Sequence, residues 1–288
     1  MIRRPPRSTL SPSSAASDVY KRQGSILGLG GGAILVPFLD FLAESGLLPG
    51  VNIHQIIATS LVCTIATSST SNSIYIEKRI TNMRIGIFLG TISILGAFTG
   101  ATISVMLQGN ILRFLFGLLL IFTSYNMIRG RKFKTRKSED KKDKIAELFG
   151  LMGQYYDESE KRIINYKAQN TLKGLLLTFF GGLLSGLLGI GGGVINVPIL
   201  VIILNLPPKV ASATSLFIIG LNGATGGTIY WLNGLIEPLL VAPAVIGIFF
   251  GATIGTKFFR RLRNETLRKI FAIFLLYVAI RMIYKAFY

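Results

Sequence analysis

The chain has 288 residues, of which 50% are hydrophobic and 15% are charged, whereas a soluble domain carries about 25% charged residues. Apolar runs of roughly 18 residues or more, the length that a bilayer requires, recur along it and exclude a soluble globular protein. The net charge of +18 lies in the gaps between these runs, which argues against nucleic-acid binding and is typical of membrane-protein loops. The single cysteine, Cys63, excludes an intramolecular disulfide and a multi-cysteine metal site.

The chain begins with a polar, basic tail, residues 1–23, that lacks the apolar core of a signal peptide. Its segments RRPPRSTL and SSAASDVYKRQ resemble translated sequencing-adapter read-through, so we expect a non-native tail. A native but disordered basic tail is the alternative, and both interpretations predict that this stretch does not fold.

Eight apolar segments follow in two matching sets of four: 24–48, 54–76, 84–107 and 110–128, then 174–205, 209–232, 238–256 and 266–287. GLGGGAILVPFL (28–39) matches GIGGGVINVPIL (189–200), and GAFTGATI (96–103) matches GIFFGATI (247–254) in the same order. The pattern predicts an all-α integral membrane protein with two membrane repeats, 24–128 and 174–288.

A charged linker, residues 129–173, joins the repeats and holds 13 of the 31 basic residues. The positive-inside rule places it in the cytoplasm. Within it, KIAELFGLMGQYY (144–156) is apolar enough to lie on a membrane surface or to pack as a short helix, but it is too short to span.

Charge also predicts how the segments cross the membrane. If all eight crossed, the basic loop 257–269 would lie outside, against the positive-inside rule. If the first segment of each repeat, 24–48 and 174–205, enters and leaves on the same side, each repeat crosses three times and all the basic loops lie inside. We therefore predict inverted repeats with re-entrant first segments that are broken by glycine triplets and, five residues after each, by Pro37 and Pro198.

The broken segments predict an anion site. Broken backbone at membrane depth is tolerated only where it is buried or lines a wet cavity, and inverted-repeat transporters bind substrate at such breaks. Free N–H groups suit an anion, and the hydroxyl-rich stretches 58–73 and 212–228, with Asn222, add neutral donors. The alternatives are close helix packing for the glycines and bonding to the i−4 carbonyl for the hydroxyls. The predicted substrate-binding residues are Gly30, Gly31, Gly32, Thr59, Ser60, Gly191, Gly192, Gly193, Asn196, Thr214 and Ser215.

Ionisable side chains are nearly absent from the apolar segments. Asp40 is the clearest candidate, either within the membrane or at its interface, and His54 begins a segment, where an interfacial position is favoured over a proton path. An intramembrane enzyme would need paired acids, a His–Cys pair or a metal-binding cluster, and the apolar segments show none of these, so we predict neither an enzyme nor a metal or cofactor.

GLLGIGGGVINVPIL (186–200), its first-repeat copy and the two ATS motifs resemble the TauE/SafE sulfite-exporter family, also called the TSUP transporters, over about residues 24–287. The resemblance implies a multi-pass transporter in the inner membrane of a bacterium or archaeon that exports small sulfur-containing anions such as sulfite, sulfonates or thiosulfate. Since no phosphate-binding loop is present, we expect secondary transport by alternating access. Two alternatives to transport are a passive anion channel and a membrane scaffold or sensor whose basic linker binds a partner. A homo-oligomer is also compatible with the sequence.

Overall fold

The computed structural model describes residues 32–77, 79–129, 143–157, 162–259 and 264–287. The tail, Gly30, Gly31 and residues 260–263 of the basic loop 257–269 lie outside the described residues. The elements in chain order are α1 (Gly32–Glu44), α2 (Ile53–Glu77), α3 (Met83–Met106), α4 (Gly109–Arg129), α5 (Lys144–Leu148), β1 (Met152–Asp157), β2 (Arg162–Lys167), α6 (Thr171–Leu188), α7 (Gly193–Pro198), α8 (Pro208–Leu232), α9 (Pro238–Phe259) and α10 (Asn264–Phe287).

Long apolar helices make up most of this structure, as the composition predicts. By length and composition, three of the described helices could each cross a membrane: α3, residues Gly109–Ile128 of α4, and α6. Large apolar side chains such as Phe98, Phe122 and Phe180 remain about half exposed on these helices, a surface suited to lipid rather than to water. The chain is therefore a helical membrane protein.

The linker contains the one β-structure among the described residues. The predicted helical stretch 144–156 is helical only over Lys144–Leu148, and β1 and β2 then pair as an antiparallel hairpin with Met152 opposite Lys167. Gly150, with a φ of +60°, ends the helix by turning the backbone into a conformation that most side chains disfavour. Leu151 is completely buried, so the hairpin is anchored to the helices beneath it.

The linker marks one end of the helical bundle. Asn82 caps α3 there, and its side-chain amide donates to Met152 O at 3.3 Å in the linker hairpin. Its backbone N–H donates to the hydroxyl of Thr214, near the start of α8, at 3.2 Å. At the opposite end, the His54 ring contacts the carbonyl of Leu107 at 3.0 Å, which ties the start of α2 to the end of α3.

The second glycine-broken segment forms a helical hairpin. α6 ends at Gly189, and α7 runs back beside it and widens into a π-helical turn, Ile199–Ile203, directly after Pro198, whose ring removes a backbone donor. The N–H of Gln169 donates to Leu204 O at 3.1 Å, so both ends of the segment meet at the linker end of the bundle.

Around this hairpin, helices with similar sequences pack in pairs: α2 contacts α8, and α4 contacts α10. α3 lies against α6 at very short range, because side chains at Gly96 and Gly100 would collide with the backbone carbonyls of Phe179 and Leu183. These two glycines are thus required for packing, the role that their small-xxx-small spacing predicts.

Candidate functional site

Gly191, in the turn between α6 and α7, lies halfway along the bundle. A Cβ atom added at Gly191 would be 2.6 Å from Thr64 Cγ2 and 3.0 Å from Ile219 Cγ2. Thr64 and Ile219 both lie near the middle of 25-residue helices, α2 and α8. Gly191 and Gly192 have φ values of +73° and +78°, which L side chains rarely adopt, so the triplet is needed for the fold-back itself.

Two buried asparagines converge on this turn from different helices. Asn196 is on α7 and Asn222 on α8, and their exposed fractions are 1% and 0%. A Cβ atom at Gly192 would be 3.2 Å from Asn196 Nδ2 and 3.3 Å from Asn222 Nδ2, so both amides flank one point. None of the four amide oxygen and nitrogen atoms has a hydrogen-bond partner among the described residues.

Further unpartnered buried hydroxyls lie on the helices that surround the turn. Leaving such a group unsatisfied costs about 1–3 kcal/mol, so a concentration of them is typical of a functional site rather than of a packed core. On α8, three of these polar side chains have spacings that place them on one face, which runs from the linker end to the turn. In the described part of the chain, the unpartnered buried side chains around the turn and along α8 are Ser93, Ser185, Asn196, Ser212, Ser215 and Asn222.

The other predicted site hydroxyls are bonded within the protein. Ser60 donates to Gly189 O at 2.8 Å, a bond that joins the two repeats, and Gly32 at the start of α1 packs against the same carbonyl. Thr59 donates to Gln55 O at 2.8 Å in its own helix, and the hydroxyl of Thr214 accepts from Asn82. The structure therefore brings Ser60 and Gly32 to the turn, while Thr59 and Thr214 bond elsewhere.

The backbone of the turn is also available as a donor. α7 begins at Gly193, and no backbone carbonyl among the described residues accepts from the N–H groups of 191–193. Pro198 lies where the α-helix gives way to the π-helical turn, as the predicted break requires. Pro37 lies inside α1 without interrupting it, because its ring removes only the single bond to the carbonyl of Ala33.

No charged side chain lies at the turn in the part of the chain that the structure describes. The only charged residue among its buried side chains, Asp40, lies at the opposite end of the bundle, with its Oδ1 3.3 Å from Arg113 Nε and 3.7 Å from Lys285 Nζ. His54 also bonds at that end, and no cluster of potential metal ligands occurs among the described residues. The site is built from neutral amides, hydroxyls and backbone.

The linker is fastened to the hairpin by one carboxylate. Asp143 accepts from the N–H of Thr171, the first residue of α6, at 2.7 Å, and it caps α5 through Ile145 and Ala146. Burial by itself raises the pKa of this carboxyl, but the hydrogen bonds from Thr171, Ala146 and Ile145 outweigh it, so the pKa lies below its usual value. Asp143 is thus charged at neutral pH and holds the linker against the start of α6.

The sequence pattern predicts Asn196 and Ser215 as site residues. It does not predict Ser93, Ser185 and Ser212, and it places Asn222 in a hydroxyl-rich stretch that supplies neutral donors but not among the predicted substrate-binding residues. The spacing of Ser212, Ser215 and Asn222 on one helical face is the signal that could have found the α8 residues.

Comparison with known proteins gives a consistent result. The family model "Sulfite exporter TauE/SafE" matches residues 23–282. "Probable membrane transporter protein YunE" of Bacillus subtilis is 31% identical over 267 residues, which cover 92% of this chain and 94% of that protein. "Probable membrane transporter protein MJ0441" of Methanocaldococcus jannaschii is 28% identical over 257 residues, covering 85% of this chain and 84% of that one. No solved structure matches the chain significantly.

Proposed function

Because the chain belongs to the sulfite exporter TauE/SafE family, we propose that it is a secondary transporter of a small sulfur-containing anion of the sulfite, sulfonate or thiosulfate class. It exports this anion across the plasma membrane of a bacterium or archaeon. The observation that carries the proposal is the convergence of Asn196 and Asn222 on Gly192, halfway along the bundle.

In this proposal, neutral dipoles hold the anion. The two side-chain amides and the N–H groups of 191–193 supply donors in a buried setting, where hydrogen bonds are stronger than in water. A neutral site also avoids the penalty of keeping a charged side chain buried while the site is empty. Release remains easy because the anion never forms a tight ion pair.

The arrangement of the site also suits alternating access. Asn196 moves with the α6–α7 hairpin, whereas Asn222 belongs to α8, so a shift of the hairpin against α8 separates the two amides. The unpartnered face of α8, with Ser212 and Ser215, then serves as a polar path between the linker end and the turn.

We further propose that the α6–α7 hairpin is re-entrant from the cytoplasm and that the repeats are inverted. The bond between Gln169 N and Leu204 O supports this, since it returns the segment to the end at which it began. Three helices then cross in each repeat, and the linker and the loop 257–269 share the cytoplasmic side. In a Cys63→Ser background, an impermeant maleimide applied to intact cells should label a cysteine at Asn233 but not one at Lys144. The reverse pattern would invalidate this topology.

The function is tested by counterflow of labelled sulfite in proteoliposomes, with thiosulfate, sulfoacetate, sulfate and chloride as competitors. We expect saturable counterflow that one sulfur anion blocks. Asn222→Leu should abolish it, while the matched control Asn126→Leu, at a partly exposed position on α4, should not. Flux without saturation or counterflow would indicate a channel. Absence of flux for every anion, with folded protein, would refute transport and favour a scaffold whose linker binds a partner.

A further inference from the structure

The amide pair carries information about the ligand that the family does not supply. Each asparagine side chain has one acceptor oxygen and one nitrogen with two donors, and at both residues neither atom has a partner in the part of the chain that the structure describes. This count does not depend on which way either amide group is turned. A ligand that satisfies Asn196 and Asn222 must therefore accept hydrogen bonds and also donate them.

The surroundings of Gly192 have the same mixed character. The point that lies 3.2 Å and 3.3 Å from the two amide nitrogens is also 3.1 Å from the carbonyl oxygen of Gly181. An anion with only acceptor oxygens would face this carbonyl and the amide oxygens without a proton to share. A ligand that carries an O–H or N–H group beside its anionic oxygens bonds to both kinds of partner.

The charge of the site limits the ligand further. Among the described residues, the only buried charged side chain is Asp40, and it bonds to Arg113 at the opposite end of the bundle. Burying a second negative charge without a cation is far more costly than burying one. The site therefore favours a single net negative charge.

We propose that Asn196 and Asn222 select singly charged oxyanions that carry a hydrogen-bond donor, such as hydrogensulfite or a hydroxyalkanesulfonate, over dianions and over sulfonates without a donor. Both amides donate to anionic oxygens, and the ligand's single O–H donates to one of the two amide oxygens. This inference rests on the proposed function, because it assigns the specificity of the same site. Neither amide has a counterpart in the first repeat, where Leu35 and Thr67 occupy the matching positions.

The test compares two ligands of equal charge and similar size, isethionate (2-hydroxyethanesulfonate) and ethanesulfonate, as competitors of sulfite counterflow by the full-length protein. A site built to bond a hydroxyl rejects the analogue that lacks it, so isethionate should compete at a concentration at least about tenfold lower. At a fixed, subsaturating concentration of total sulfite, counterflow should also increase as the pH falls and hydrogensulfite replaces sulfite.

Two variants assign the preference to the amides. We expect the isethionate preference to fall to less than about threefold in Asn196→Leu, which introduces the residue of the first repeat, and in Asn222→Leu. The control Asn126→Leu should keep the wild-type preference. Thermal unfolding confirms that each variant is folded. Because Asn222→Leu is expected to abolish counterflow, its ratio is measured by direct binding of both sulfonates to purified protein, as is that of any other variant without counterflow. Equal competition by the two sulfonates in the wild type, with counterflow intact, would overturn the donor requirement and leave transport standing. If the folded wild-type protein shows neither sulfite counterflow nor binding of either sulfonate, both proposals are overturned.

Discussion

Replacing Gly192 by alanine should impair transport far more than it impairs folding. An L residue at its φ of +78° costs about 1–2 kcal/mol of stability. The added methyl carbon would also lie 3.1 Å from Gly181 O and 3.2–3.3 Å from the amide nitrogens of Asn196 and Asn222, closer than ordinary van der Waals contact. The amides must then move by a few tenths of an ångström, away from the point where we place the anion.

Gly46 provides a matched control, because its φ is also +78° and a Cβ atom there meets nothing within 4 Å. Gly46→Ala and Gly192→Ala should therefore introduce similar backbone strain and lose a similar amount of stability from it, as measured by thermal unfolding in detergent. Only Gly192→Ala should lose sulfite counterflow, by about tenfold or more, given the sensitivity of bound geometry to sub-ångström displacement. Gly192→Leu should abolish counterflow. Equal counterflow in both alanine variants would refute the placement of the anion at Gly192.

Three further changes have outcomes that the structure specifies. Asp40→Asn leaves the two cationic partners of a buried carboxylate unpaired and should destabilise the protein by about 3 kcal/mol. Glu44→Gln removes a carboxylate from a more exposed ion pair and should cost less than about 1 kcal/mol. Equal melting curves for the two variants would contradict this difference. Ser60→Ala removes the hydrogen bond between the repeats and should cost about 1–2 kcal/mol of stability and reduce counterflow. Thr59→Ala loses only a hydrogen bond within its own helix and should behave as wild type. Loss of counterflow in Thr59→Ala but not in Ser60→Ala would instead indicate that Thr59 is a site residue. Because the pKa of Asp143 is lowered in the folded protein, its contribution to stability is complete above the ordinary pKa of 3.8 and is lost as the pH falls below that value. Asp143→Asn should therefore reduce the loss of stability that occurs as the pH is lowered. An unchanged pH dependence would show that this carboxylate does not fasten the linker.

The two repeats differ in how their polar side chains are satisfied, although their sequences match. Thr59, Ser60 and Thr64 in α2 all bond to backbone carbonyls, whereas Ser215 and Asn222 in α8 have no partner among the described residues. The matching TS pairs alone cannot reveal this difference, because it depends on which carbonyl each hydroxyl reaches. The matching motifs predicted equivalent hydroxyls in both repeats, and in the described part of the chain most of the unpartnered groups lie on the helices of the second repeat.

The sequence by itself determined the features that obey local rules. Segment length and hydropathy are dictated by the bilayer, so six of the eight predicted segments each coincide with one described helix to within three residues at either end, and a seventh, 174–205, corresponds to the α6–α7 hairpin with its π-helical turn. The glycine triplet and Pro198 act on the backbone directly, so the break in the second repeat was also predictable.

Only the tertiary structure decided which groups meet. Ser60 and Gly189 are 129 residues apart, and Asn82 and Thr214 are 132 residues apart, so no local pattern records their hydrogen bonds. The linker hairpin likewise depends on pairing two strands and burying Leu151 against the helices rather than on the helical propensity of 144–156. The convergence of Asn196 and Asn222 on Gly192 has the same cause: a fold-back and a separate helix must pack together before two amides can share one point.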